Sequence, residues 1–300
     1  MENQELWQVM NEVWSALTAC FEPELDRACK QRDLEPRLLM LLLAVFTFEP
    51  EDTTPGHLMV RGPYTSSEVY LRRLNEATQL GYLENVDTSK FRLTDKGRNT
   101  TIELIQLARE AMVRADPLGN LESTEIAHLI GRLVQSNLDT EPPPRRWSIR
   151  LSFKLMPDID PPMPHIEQAF SCLAAYRDDS HLAAWQNSGL SATSLEALTL
   201  FWRGEVSSLH ELSNRLVSRG HPLRVYQDSL SGLFKLGYLA GTDESAWVTG
   251  AGRVFRNKIE SDTDQYFYAP WTCLDKAQKQ SLNHLLVKLR DGLNARVVQE

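Results

Sequence analysis

Cysteine is scarce: four residues in 300, at Cys20, Cys29, Cys172 and Cys273, with no CxxC pair among them. That spacing implies no disulfide framework, and an inert buried thiol is the default for each unless its pKa is lowered. Long hydrophobic runs are also missing. The longest candidate, Leu38 to Phe48, is too short to span a bilayer as a helix. Residues Met1 to Cys20 carry several charges and no continuous apolar signal core, so a soluble cytoplasmic protein without membrane attachment is expected. The seven histidines, at 57, 128, 165, 181, 210, 221 and 284, form no metal-binding array. His181 and Trp185 share a helical face, as a packed or hydrogen-bonded pair rather than a catalytic one. No complete P-loop or dinucleotide fingerprint is present. These absences point away from an enzyme, and no cofactor or metal is expected. Excess positive charge is lacking too: 32 Lys and Arg stand against 40 Asp and Glu, a formal net charge of −8. The molecule as a whole is no polycation of the kind that binds nucleic acid nonspecifically.

What the chain does have is an echo of itself. Leu80-Gly81-Tyr82-Leu83 returns as Leu236-Gly237-Tyr238-Leu239. Tyr70 and Leu74 correspond to Tyr226 and Leu230 at a separation of 156, and Thr94, Gly97 and Arg98 to Thr249, Gly252 and Arg253 at 155. Chance similarity rarely preserves a whole succession of elements, so the same unit is expected twice.

Each copy reads as a winged helix. In the first, Pro36 precedes an apolar opening helix over Leu38 to Phe48, and Gly56 to Gly62 holds a short second helix. Thr65 or Ser66 caps a third, whose inner stripe is Leu71, Leu74, Ala77 and Leu80. Gly81 stops it. Tyr82-Leu83 and Phe91-Arg92-Leu93 then form a hairpin about Asp87-Thr88-Ser89. In the second copy Ser194 caps Leu195 to Trp202, Leu209 to Val217 is the second helix, and Pro222 starts a third carrying Tyr226, Leu230, Leu233 and Leu236. The hairpin tip is Gly241-Thr242-Asp243-Glu244, returning through Ala246-Trp247-Val248.

Thr65 to Leu83 followed by Phe91 to Arg98, and Pro222 to Leu239 followed by Trp247 to Arg253, resemble the winged helix-turn-helix superfamily, particularly MarR-like transcriptional regulators. With flanking helices the two matches cover about half of the chain. The resemblance implies a recognition helix in the DNA major groove, a wing beside the phosphates, and dimers. Carried onto this chain, the first DNA-binding face comprises Thr65, Ser66, Arg72 and Arg73 with Lys90 and Arg92 on the wing; the second comprises Arg224, Gln227, Ser231 and Lys235. Arg72 or Arg73 would read a guanine edge and Arg92 a phosphate. The departure from the pattern is tandem duplication in one polypeptide. It leaves open whether both units touch DNA and whether an intramolecular pair replaces the dimer. Local charge permits contact: Arg61 to Arg98 holds seven basic and five acidic residues, Arg215 to Lys258 seven and three.

The expected fold is mainly α with small β-hairpin wings: two winged helix-turn-helix units joined by a Pro-rich, strand-containing segment. Expected boundaries are an N-terminal helix over 1–32, the first unit over 33–115, a connecting helix and Pro-bounded amphipathic strand over 116–164, a connecting helix over 165–190, the second unit over 191–271 and a C-terminal helix over 272–300. The strand reading rests on Trp147, Ile149, Leu151, Phe153 and Leu155 alternating with polar residues; alternatively Arg145, Arg146, Arg150 and Lys154 face phosphate. Leu6, Met10, Val13 and Leu17 form one terminal seam, with Trp7, Trp14 and Phe21 beside it, and Leu282, Leu285, Leu286 and Leu289 form the other. They serve either a homodimer contact or a folded-back cap. The function expected is DNA-binding transcription regulation on double-stranded DNA, with a small-molecule effector compatible; the alternative is a non-catalytic protein-interaction scaffold built from winged units.

Overall fold

The computed structural model describes residues 2–141, 144 and 147–297. Helix α1 (Asn3–Lys30) starts with a reciprocal capping box between Glu2 and Glu5. Then follow α2 (Pro36–Phe48), α3 (Pro55–Arg61) and α4 (Ser67–Gln79), strands β1 (Leu83–Asn85) and β2 (Phe91–Leu93), and helices α5 (Asp95–Ala115) and α6 (Asn120–Asp139). A short α7 (Trp147–Phe153) leads to α8 (Pro162–Trp185). The order then repeats as α9 (Ala192–Arg203), α10 (Leu209–Arg215), a 3-10 turn at Val217–Arg219, α11 (Leu223–Lys235), β3 (Leu239–Thr242), β4 (Ser245–Val248), α12 (Gly250–Tyr268), a 3-10 turn at Ala269–Cys273, and α13 (Lys276–Val297). The fold is mainly helical with two small antiparallel hairpins, a winged-helix-like topology.

The main core lies among the long helices. α1 packs along α13 and α5, while α8 packs along α6 and α12. Leu6, Met10, Val13 and Leu17 are fully buried, as are Leu282, Leu286, Leu289 and Leu293. The two terminal seams therefore cover one another within the chain, the folded-back of the two arrangements open to them. Separate cores sit beneath each hairpin, one around Leu42, Leu74 and Phe91, the other around Leu198, Leu230 and Leu233.

The Thr-x-x-Gly signal has the same physical content at both sites. Thr94 caps α5 by accepting from the Gly97 amide at 3.0 Å and donates its hydroxyl hydrogen to the Gly81 carbonyl at 2.7 Å. Thr249 caps α12 through the Gly252 amide at 3.1 Å and donates to the Gly237 carbonyl at 2.6 Å. A Cβ on Gly97 would stand 2.0 Å from the Tyr82 carbonyl oxygen, and one on Gly252 2.3 Å from that of Tyr238. Only glycine lets the helix start approach the hairpin so closely.

The amphipathic strand expected between Trp147 and Leu155 is a helix over Trp147–Phe153. Asp179 of α8 provides the reason: its carboxylate accepts from the amides of Ser148 at 2.9 Å and Ile149 at 3.1 Å. Those are donors that a helix start leaves unpaired. The buried residues are Ser148, Ile149 and Ser152, a helical rather than an alternating set, and Trp147 and Phe153 stay partly exposed. Arg145 and Arg146 lie outside the described residues. Two helix starts also differ from expectation. α9 is capped by Ser191, which accepts from the Ser194 amide at 3.1 Å, and α8 begins at Pro162.

Candidate nucleic-acid interface

Helix α11 presents the better-formed polar face. Its inner stripe, Tyr226, Leu230 and Leu233, is buried, and Tyr226 donates to the Leu216 carbonyl at 3.2 Å. That fixes the outward register. Arg224, Gln227, Ser231 and Lys235, three or four residues apart, all emerge on the exposed side. The Arg224 side chain is 87% exposed and meets Asp228 only at 3.9 Å. Lys235 on α11 and Arg253 on α12 carry no ion pair among the described residues. The second hairpin carries Asp243 and Glu244 at its turn and an exposed Trp247, so positive charge on this unit sits on helices rather than on the wing.

The region around the first hairpin is arranged differently. Ser66 caps α4, as expected of Thr65 or Ser66, through the Val69 amide at 3.4 Å. Yet Thr65 and Ser66 are buried, against the expectation that they face DNA. They are covered by the turn before α11: the Ser66 amide donates to the Arg219 carbonyl at 2.9 Å, and Arg219 Nη1 reaches Thr65 Oγ1 at 3.4 Å. Arg72 is exposed, in a shallow depression shared with Glu68, Leu71, Asn75, Glu76 and Gln79, while Arg73 is half-buried. The wing cations are engaged. Arg92 donates from Nη2 and Nε to Asp52 at 2.7 and 3.0 Å, and Lys90 pairs with Asp87 at 3.4 Å. Hydrogen bonding to Asp52 raises the Arg92 pKa further.

Between the two hairpin-bearing regions lies a polar junction that sequence reasoning missed. Tyr64, just before α4, plugs a small cluster with Leu182, Trp185, Leu195 and Ile259. Its hydroxyl pairs with His181 Nε2 at 3.1 Å, and the other ring nitrogen faces Thr263 Oγ1 at 3.3 Å. Arg219 stacks over the Tyr64 ring and donates to Glu196 at 2.6 Å, and His221 pairs with the Tyr64 carbonyl at 3.0 Å. Burial pushes the Tyr64 phenol and the Glu196 carboxyl upward, the latter opposed by Arg219. Burial also lowers His181 to about 4, helped by Arg256 nearby. His181 and Trp185 do share a helical face, and each meets Tyr64. The signal that could have found the junction is Gly220, at φ +72°, next to an arginine and a histidine.

An open groove of about 1070 Å³ runs between α1, α8, α12 and α13, with Trp7, Asn11, Tyr268, Arg177 and Arg290 on its walls. Its charges pair across it, Arg177 with Asp264 at 2.8 Å and Arg290 with Glu12 at 2.7 Å. Among the described residues no group of three or more His, Cys, Asp or Glu is placed to hold a metal ion, and no helix is long and apolar enough to cross a membrane.

A buried three-helix core followed by a hairpin and a long helix defines a winged helix-turn-helix domain in the carboxyl-terminal half. Residues 153–299 match the model of a helix-turn-helix family, just under half of the chain, running from the end of α7 through α13. The first hairpin lies outside that match. No curated protein and no solved structure matches the chain.

Proposed function

We propose that this protein is a DNA-binding transcriptional regulator built from two winged helix-turn-helix units related by internal duplication. One observation carries the reading: Arg224, Gln227, Ser231 and Lys235 stand exposed and evenly spaced along α11, beside a hairpin, with no stronger partner than Asp228. Arg224 and Gln227 suit base edges and Lys235 a phosphate, because a guanidinium or amide offers paired hydrogen bonds while an ammonium acts as a point charge. Duplication is supported by the repeated element order and by the paired Thr94 and Thr249 caps. The exchange of packing, α1 on α13 and α8 on α6, is that of an intertwined pair made from one chain, so a monomer takes the place of a MarR-like dimer. The groove beside Trp7 and Tyr268 is the site for a small-molecule effector. A cytoplasmic location follows from this role.

Binding to a randomised duplex library, with enriched sequences retested across salt concentrations, tests the reading. Reproducible enrichment with salt-sensitive affinity supports it. A folded sample that binds nothing at low salt sinks it. The second reading, a non-catalytic interaction scaffold, is favoured by the engaged first-wing cations and the exposed Trp247.

A further inference from the structure

We infer that only the second winged unit reads DNA, and that its target is a single, non-palindromic half-site rather than two symmetric ones. This rests on the DNA-binding reading above and adds which helix reads and what kind of duplex fits. Three observations carry it.

The first is distance. A protein reading two half-sites through paired recognition helices places them one helical turn apart, about 34 Å. Here Ser66, the cap of α4, donates to the carbonyl of Arg219, three residues before the cap of α11 at Pro222. Three residues span at most about 11 Å, so the two helix starts lie within roughly 15 Å of each other. The first turns of the two helices are therefore too close together to meet base edges one full helical turn apart.

The second is access. A recognition helix meets base edges chiefly through its first turns. At α4 the residues entering that turn, Thr65, Ser66 and Val69, are buried in the junction. At α11 the positions in register with these are more open: His221 and Val225 are half-buried and Pro222 is exposed. The junction covers the cap and the inner side of the first turn of α4 more fully than those of α11, while Ser67, Glu68 and Arg72 on the outer side of α4 stay exposed.

The third is charge. On the α4 face Arg72 lies four residues from both Glu68 and Glu76, a spacing that sets an acidic group on either side of it. Arg92 on the first wing and Arg98 beside it are held by Asp52 at 2.7 Å and Glu49 at 2.6 Å. On the second unit Arg224 meets Asp228 only at 3.9 Å and Lys235 and Arg253 carry no ion pair among the described residues, with Asp243 and Glu244 confined to the hairpin turn. A phosphate backbone is drawn to the second surface. The first unit acts as a brace: Tyr64 and Thr65 hold the Arg219–Gly220–His221 turn, which sets the direction in which α11 leaves it.

The experiment uses the full chain and its best sequence from the randomised duplex library. Two matched pairs of exposed substitutions are compared, Arg224→Ala with Gln227→Ala on α11, and Arg72→Ala with Asn75→Ala on α4, each checked for unchanged folding by circular dichroism and melting. The expected result is an asymmetric motif of about one half-site, one chain per duplex, a loss of tenfold or more for the α11 pair with altered sequence ranking, and less than twofold for the α4 pair. A palindrome, two half-sites about ten base pairs apart, or equal losses for both pairs would overturn the inference and leave DNA binding standing. If the unaltered chain binds no DNA at low salt, the proposed function falls, and this inference with it.

Discussion

The backbone amide of Ser66 donates a 2.9 Å hydrogen bond to the carbonyl of Arg219, joining the start of α4 to the turn that launches α11. Those residues are 153 positions apart, so the bond ties one hairpin-bearing region directly to the other. Around it the backbone is packed too closely for any side chain at Gly220: a Cβ there would meet Val69 Cγ2 at 2.1 Å and Ser66 Oγ at 3.1 Å.

Gly220→Ala should therefore destabilise the protein by about 1–3 kcal/mol, through the positive φ and through overpacking against Val69. Val69→Ala removes the clashing methyl. In a double-mutant cycle by chemical denaturation, the pair should cost less than the sum of the single changes. Strict additivity would show that the contact yields freely.

Asp179 holds the first amides of α7 from a buried position on α8. Burial raises its pKa, and the two backbone donors oppose that rise. Asp179→Ala leaves those donors without a partner and should cost about 1–3 kcal/mol. Hydrogen exchange at residues 148–153 should accelerate well beyond the exchange of α8 itself. Equal protection in the variant would mean that packing of Ile149 alone holds the helix.

Acid should weaken the junction through His181. Its folded pKa is lowered to about 4 by burial and by Arg256, against an ordinary value of 6.5. The folded state thus favours the neutral ring that bridges Tyr64 and Thr263. Its contribution is fully present above pH 6.5 and is lost as pH falls toward 4, where the unfolded chain binds the proton more readily. The full change is on the order of 3 kcal/mol. Stability measured from pH 7.5 to 4 should fall more steeply for the native chain than for His181→Gln. Parallel curves would rule this out.

The thiols should divide into two classes. Burial pushes Cys172 up to about 11 and raises Cys29 as well. Both should resist a thiolate-selective reagent until the protein unfolds, while the half-buried Cys20 and Cys273 label faster. Rapid labelling of Cys172 in the folded protein would show that α8 opens locally.

Much of the local structure was legible in residue order, because its causes are local. Gly81 and Gly237 end their helices at positive φ, and Thr94 and Thr249 cap the helices that follow. Period-3.6 burial along α4 and α11 needs only the side chains of each helix. Trp147 to Leu155 misled for an instructive reason. Its alternation suits a strand, but the deciding group is the Asp179 carboxylate, more than 25 residues away in sequence, which satisfies the helix start.

By itself the sequence determined the kind and order of most elements, since caps, glycine stops and apolar periodicity act within a few residues. It also set which side chains could form the α11 face. Only the tertiary structure decided that Thr65 and Ser66 are covered while Arg224 and Gln227 are open. That asymmetry arises where Tyr64 enters the cluster around Trp185 and Arg219 closes over Thr65, contacts between residues more than 100 positions apart. Such contacts form only once the long helices have brought the two halves together, and no local pattern encodes them.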